Sequence, residues 1–167
     1  MNPLKSKEFF MAASIVIITI ILMVANNVGW IQFGYLLGPY RLNHWLVWLG
    51  TVYIALIVPT IAVLKKRKPN TYMALSNIHI FGNLIAFLLI SIHFTSQISR
   101  PATAYPDLGT GLALYIIIIL LVATGFIHRF QIIPQIKAST RKFIHVAMSF
   151  SFYIIIVIHI LHGTGLI

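Results

Sequence analysis

Apolar residues run along this chain in five long blocks, with short polar connections between them. The blocks cover roughly residues 9–28, 44–64, 72–98, 111–127 and 140–163. Each is close to the roughly 20 residues that an α-helix needs to cross about 30 Å of hydrocarbon. The pattern predicts five transmembrane helices in a single domain spanning 1–167, an all-α integral membrane protein. The first block is long for the apolar core of a signal peptide and lacks a small-residue cleavage site, so it reads as a retained helix.

The polar positions punctuate the blocks. Lys5 and Lys7 precede the first, Lys65-Lys66-Arg67-Lys68 stops the second, and Arg129, Lys137, Arg141 and Lys142 lie between or beside the fourth and fifth. The other connections hold Arg41, Arg100 and Asp107. By the positive-inside rule the N-terminus is expected to be cytoplasmic and the C-terminus external. Trp30, Trp45 and Trp48 mark an aromatic belt at one interface.

Composition sharpens this. The chain is 59% hydrophobic and 8% charged, against roughly a quarter charged in soluble domains. A net charge of +10 raises the question of nucleic acid. The basic residues flank the apolar blocks, however, so topology and anionic lipid headgroups account for them and no nucleic-acid partner is expected. There is no cysteine, which excludes disulfides, thiolate-held iron–sulfur clusters and covalent c-type haem.

The chemistry lies in the histidines. His79 and His93 in the third block are fourteen residues apart, as are His145 and His159 in the fifth. Fourteen residues bring a helical side chain back to within about 40° of its starting direction, about 21 Å along the axis. With both helices running the same way through the membrane, His79 and His145 fall at one level and His93 and His159 at the other. Ionisable groups inside a bilayer are costly and usually functional, and two facing imidazole pairs suit two haems, each held by two histidines. On the same faces Gly82 and Ala86 would admit a flat macrocycle, although small residues also serve helix packing. Phe152, midway between His145 and His159, would lie opposite Ala86, between the haems. His44, His162 and His128 fall near the interfaces and read first as interfacial polar residues; the alternative is contact with haem propionates or with the ligands' surroundings, shared with Arg41 and Arg100 on one side and Arg129, Arg141 and Lys142 on the other. Beyond the histidine spacing no internal repeat stands out.

A histidine pair on the third helix, another on the fifth and a basic stretch before the fifth resemble the ferric reductase-like transmembrane domain. That superfamily includes NADPH oxidases and the haem-binding membrane subunit of a bacterial methionine sulfoxide reductase system. The resemblance covers roughly residues 40–163 and rests on spacing and topology. The equal spacing is also similar to cytochrome b of quinol-oxidising bc complexes, and the two relatives stay open. The resemblance implies two stacked haem b groups, one held by His79 with His145 and the other by His93 with His159. The family usually has a sixth helix, and its oxidases add a flavin- and nicotinamide-binding domain. Without these, the expected function is an electron-transfer subunit in a prokaryotic plasma membrane. Its donor would be a quinol, making quinone a candidate ligand, or a separate redox protein. The competing classes are a non-redox structural subunit and a histidine-based metal transporter; the only carboxylates, Glu8 and Asp107, lie outside the spans, which weighs against the transporter.

Overall fold

The computed structural model describes residues 6–101 and 109–166; Lys5 and Asp107 lie outside them. Among the described residues, five helices are long and apolar enough to cross a membrane: Lys7–Asn27, Leu42–Arg67, Tyr72–Ile98, Gly109–Phe130 and Ala138–Gly163. This is the number the hydropathy pattern predicts, with ends shifted by zero to three residues. Helix is the expected solution, because a single spanning segment in lipid satisfies its backbone N–H and C=O groups only within itself. We label the helices α1 (Lys7–Asn27), α2 (Leu42–Val52), α3 (Val58–Arg67), α4 (Tyr72–Ile98), α5 (Gly109–Phe130) and α6 (Ala138–Gly163).

α2 and α3 are the halves of one span, joined by a single π-helical turn, Tyr53–Ile57. Pro59 explains the break. Its ring has no N–H to donate and would collide with the carbonyl four residues earlier, at Ala55. Widening the preceding turn relieves that collision while the chain stays helical.

The chain divides into two compact units, one of residues 10–104 and one of residues 1–9 with 105–167. In the 10–104 unit a short hairpin precedes α2. Its strands, β1 (Leu36–Leu37) and β2 (Tyr40–Arg41), pair antiparallel with Leu37 opposite Tyr40, and the turn uses Gly38 at φ +66°, a conformation that favours glycine. The hairpin feeds directly into the helix. Leu42 N donates to Tyr35 O (3.0 Å) and Asn43 N to Phe33 O (3.1 Å), so two of the orphan amides at the start of α2 find partners. Trp45 Nε1 donates to Leu37 O at 2.9 Å, tying the first turn of α2 to the hairpin. α2 then packs on α4 through small residues. A Cβ on Gly50 would meet Ala86 O at 3.1 Å and Ile90 Cγ1 at 3.2 Å, so a larger residue would push the helices apart. At the other end of α4 from Tyr72, Asn26 Nδ2 donates to Ser96 Oγ (3.2 Å) and Ser99 Oγ to Asn27 Oδ1 (3.2 Å), joining α1 to α4.

In the second unit α5 and α6 form an antiparallel pair. Phe9 sets its ring edge-on to Phe126 and Phe130, with centroids 6.3 and 5.1 Å away. Gln131, at φ +49°, ends α5 in the left-handed conformation common just past a helix C-terminus. The connection is then held by Arg141, which is buried and donates to Ile133 O (3.1 Å) and Ile136 O.

Candidate functional site

α6 carries His145 and His159, both half-buried, and α5 supplies each with a partner. Thr124 Oγ1 lies 3.0 Å from His145 Nδ1, and Thr110 Oγ1 lies 3.1 Å from His159 Nδ1. The threonines are themselves fourteen residues apart, and the pairing runs in opposite senses along the two helices, as antiparallel packing requires. Beside each threonine is a glycine. A Cβ on Gly125 would stand 3.5 Å from His145 Cε1, and one on Gly111 would stand 3.3 Å from His159 Cε1. Two Thr-Gly pairs thus face two imidazoles. This repeat lies in the sequence as Thr110-Gly111 and Thr124-Gly125, two common dipeptides that carry no signal until α5 is laid against α6.

The direction of one of these bonds is fixed by a count of protons. Thr124 Oγ1 is 2.8 Å from Leu120 O and 3.1 Å from Leu121 O. Two oxygens at 2.8 Å repel unless a proton lies between them, so the single hydroxyl proton belongs to the backbone carbonyl. Towards His145 the threonine can only accept. Nδ1 therefore carries the proton, and the lone pair of the neutral ring is on Nε2.

On α4, His79 and His93 are also half-buried. The terminal amide of Asn83, one turn on, reaches His79 Nδ1 at 3.4 Å through its nitrogen, while Asn83 Oδ1 is buried without a hydrogen bond. Half a turn of that amide would present Oδ1 to the ring as an acceptor. The His93 ring lies 5.5 Å from that of His44 on α2, tilted by 52°. Between the histidines, Gly82 lies beneath Tyr53, whose hydroxyl donates to Ile78 O at 2.7 Å. A Cβ on Gly82 would fall 1.8 Å from that hydroxyl. Ala86, 1% exposed, lies against Gly50. Both small residues thus serve helix packing inside the unit, and they line an apolar cavity of about 190 Å³ with Leu49, Gly50, Tyr53, Ile85 and Leu89.

The remaining candidates take varied places. Phe152, 1% exposed, packs edge-on to Tyr153. Arg41 is exposed at the end of β2 and lines a polar cleft of about 530 Å³ with Asn26, Asn27, Gln32, Ser96 and Ser99. The fields of Arg100 and Arg41 both reach His44, and those of Arg141 and Lys142 reach His128. Arg129 sits in the last turn of α5, where a cation complements the helix dipole. Arg141 differs from its neighbours: its guanidinium is committed to the α5–α6 connection. His162 is exposed.

Among the described residues no group of three or more His, Cys, Asp or Glu side chains could hold a metal ion. Haem iron has a different requirement, since the macrocycle supplies four ligands and the protein only two. The residues fit that requirement at His145: a neutral imidazole whose proton is held on Nδ1 presents Nε2 as the donor, the arrangement typical of ligating histidines. The class defined by these features is a multi-pass membrane protein with two histidines, fourteen residues apart, on each of two helices. Compared with known proteins, the chain matches no family model, no curated protein and no solved structure.

Proposed function

We propose that this chain is a di-haem b-type cytochrome subunit that passes electrons from one face of the membrane to the other, related to the ferric reductase-like domain or to cytochrome b. The observation that carries the reading is the doubled Thr–His pair: each α6 histidine, fourteen residues from the other, has its Nδ1 engaged by an α5 threonine. His79 with His145, and His93 with His159, are the proposed ligands. When bound, each haem iron supplies one-electron redox chemistry at a potential set by its ligands and surroundings.

The chain's own residues hold, orient and insulate. The imidazoles bind at two levels about 21 Å apart, so each level lies near one interface of a hydrocarbon layer about 30 Å thick. Phe152 and Ala86 fill the mid-plane of their own helices with apolar surface. Arg41 and Arg100 at one end, and Arg129 at the other, offer cations to propionates. Arg141 supports the basic end by fixing the α5–α6 connection. A quinol or a separate redox protein serves as donor, and the basic connections suit an anionic partner. By the positive-inside rule these connections, and the N-terminus, are cytoplasmic in a prokaryotic plasma membrane.

The test uses the purified protein in vesicles with an electron donor trapped inside. A membrane-impermeant acceptor outside should be reduced. His93→Ala should abolish that reaction while the haem at the other level is still reduced. His44→Ala, which removes the neighbouring imidazole, should leave the reaction running. Transfer at the native rate through His93→Ala would overturn the transmembrane route and favour a one-sided or structural role.

A further inference from the structure

We infer that Thr124 and Thr110 of α5 are positioning residues for the α6 histidines, each accepting the Nδ1 proton of its imidazole and so leaving Nε2 as the nitrogen that would bind a haem iron. This rests on the haem reading proposed above and assigns to α5 a part in setting the haem potentials.

The geometry supplies three supports. Thr124 has given its own proton to a backbone carbonyl, as the 2.8 Å separation from Leu120 O requires, so its remaining lone pairs are what His145 Nδ1 meets at 3.0 Å. The contact is repeated at Thr110 and His159, 3.1 Å apart, with the same fourteen-residue interval on both helices, and the same direction is assigned there by analogy with Thr124. The adjacent glycines remove the side chain that would stand against each ring, since a Cβ on Gly111 would be only 3.3 Å from His159 Cε1. A glycine thus follows the threonine at both histidine levels, tight against the ring at Gly111 and in ordinary contact distance at Gly125. In the low dielectric of a bilayer such a bond both fixes ring orientation and competes with few alternatives. A hydrogen bond accepted from Nδ1–H makes the imidazole a stronger donor through Nε2. Stronger donation favours the ferric state, so each threonine should hold its haem at a lower potential than the bare imidazole would.

Helix packing alone would also use Thr–His bonds, and the experiment separates the two roles. Redox potentiometry by visible and electron paramagnetic resonance spectra is carried out on the full chain with its haems, as wild type, Thr124→Val, Thr124→Ser and Thr110→Val. Valine keeps the shape and deletes the acceptor; serine restores it. Thr124→Val should raise the midpoint of one haem by about tenfold in relative ferrous affinity, about 59 mV for one electron, and change its g values. Thr110→Val should do the same to the other haem, and Thr124→Ser should titrate as wild type. Loss of one haem from Thr124→Val, with helical content intact and Thr124→Ser fully loaded, would support the same role. Wild-type potentials in Thr124→Val, or equal shifts in the serine and valine variants, would overturn the inference while leaving the haem reading standing. A wild-type protein that carries no haem would remove both, and that is read before any variant is made.

Discussion

Glycine at position 82 should be worth more to this protein than alanine, against the ordinary preference of helices. In an unconstrained helix interior Gly→Ala is stabilising by about 0.5–1 kcal/mol. Here the added methyl would lie 1.8 Å from Tyr53 Oη and 2.1 Å from Cζ, so the phenol must move by more than an ångström. That breaks its 2.7 Å bond to Ile78 O, at a net cost of about 1 kcal/mol. Forcing the ring out of its place adds overpacking of about 1–3 kcal/mol. Subtracting the propensity gain, Gly82→Ala should destabilise by about 1–3.5 kcal/mol. The decisive comparison is Gly82→Ala made in a Tyr53→Ala background. With the phenol gone only the propensity term remains, and the same substitution should stabilise by about 0.5–1 kcal/mol. The sign change corresponds to a coupling of about 2–4 kcal/mol, at the upper end of what contacting residues show. Reversible denaturation in detergent micelles, followed by circular dichroism, measures all four proteins. If Gly82→Ala stabilises the wild type, or costs the same with and without Tyr53, the packing argument for this glycine is wrong.

Arg141→Ala should cost about 2–3 kcal/mol by removing charge-assisted bonds to two carbonyls, and should speed amide exchange across residues 131–137 with little change elsewhere. A cysteine placed at Asn70, beside the basic run ending at Lys68, should resist impermeant thiol reagents in intact cells, whereas one at Thr103, outside the described residues, should react; equal labelling of the Asn70 site from outside reverses the proposed orientation. His93→Ala should lose or convert one haem with the other still occupied, read from the pyridine haemochrome assay, and His44→Ala should keep both.

Periodicity made the spans legible because lipid leaves the backbone a single local solution; the long apolar runs between basic clusters could hardly become anything else. The hairpin at Leu36–Leu37 and Tyr40–Arg41 was less visible. Two-residue strands carry almost no alternation, and Gly38-Pro39 is the one local mark of the turn in the sequence. The second span read as one uninterrupted block across Pro59, and the widened turn at Tyr53–Ile57 came only with the structure. The four paired histidines stood out by spacing alone. Their partners did not, because threonine and glycine are common in membrane helices and acquire meaning only when α5 is laid antiparallel to α6. Gly82 and Ala86 illustrate the converse. Small residues on a histidine-bearing face can admit a cofactor or a neighbouring helix, and it is Tyr53 and Gly50 that occupy the space next to them.

The most direct test of the central claim is the haem-to-protein ratio of the purified chain, taken with its reduced-minus-oxidised spectrum. Four histidines acting as two ligand pairs require two non-covalent haems per chain, each low-spin and six-coordinate with two imidazoles. One haem per chain, high-spin iron in the native protein or a colourless preparation from haem-replete cells would contradict the account.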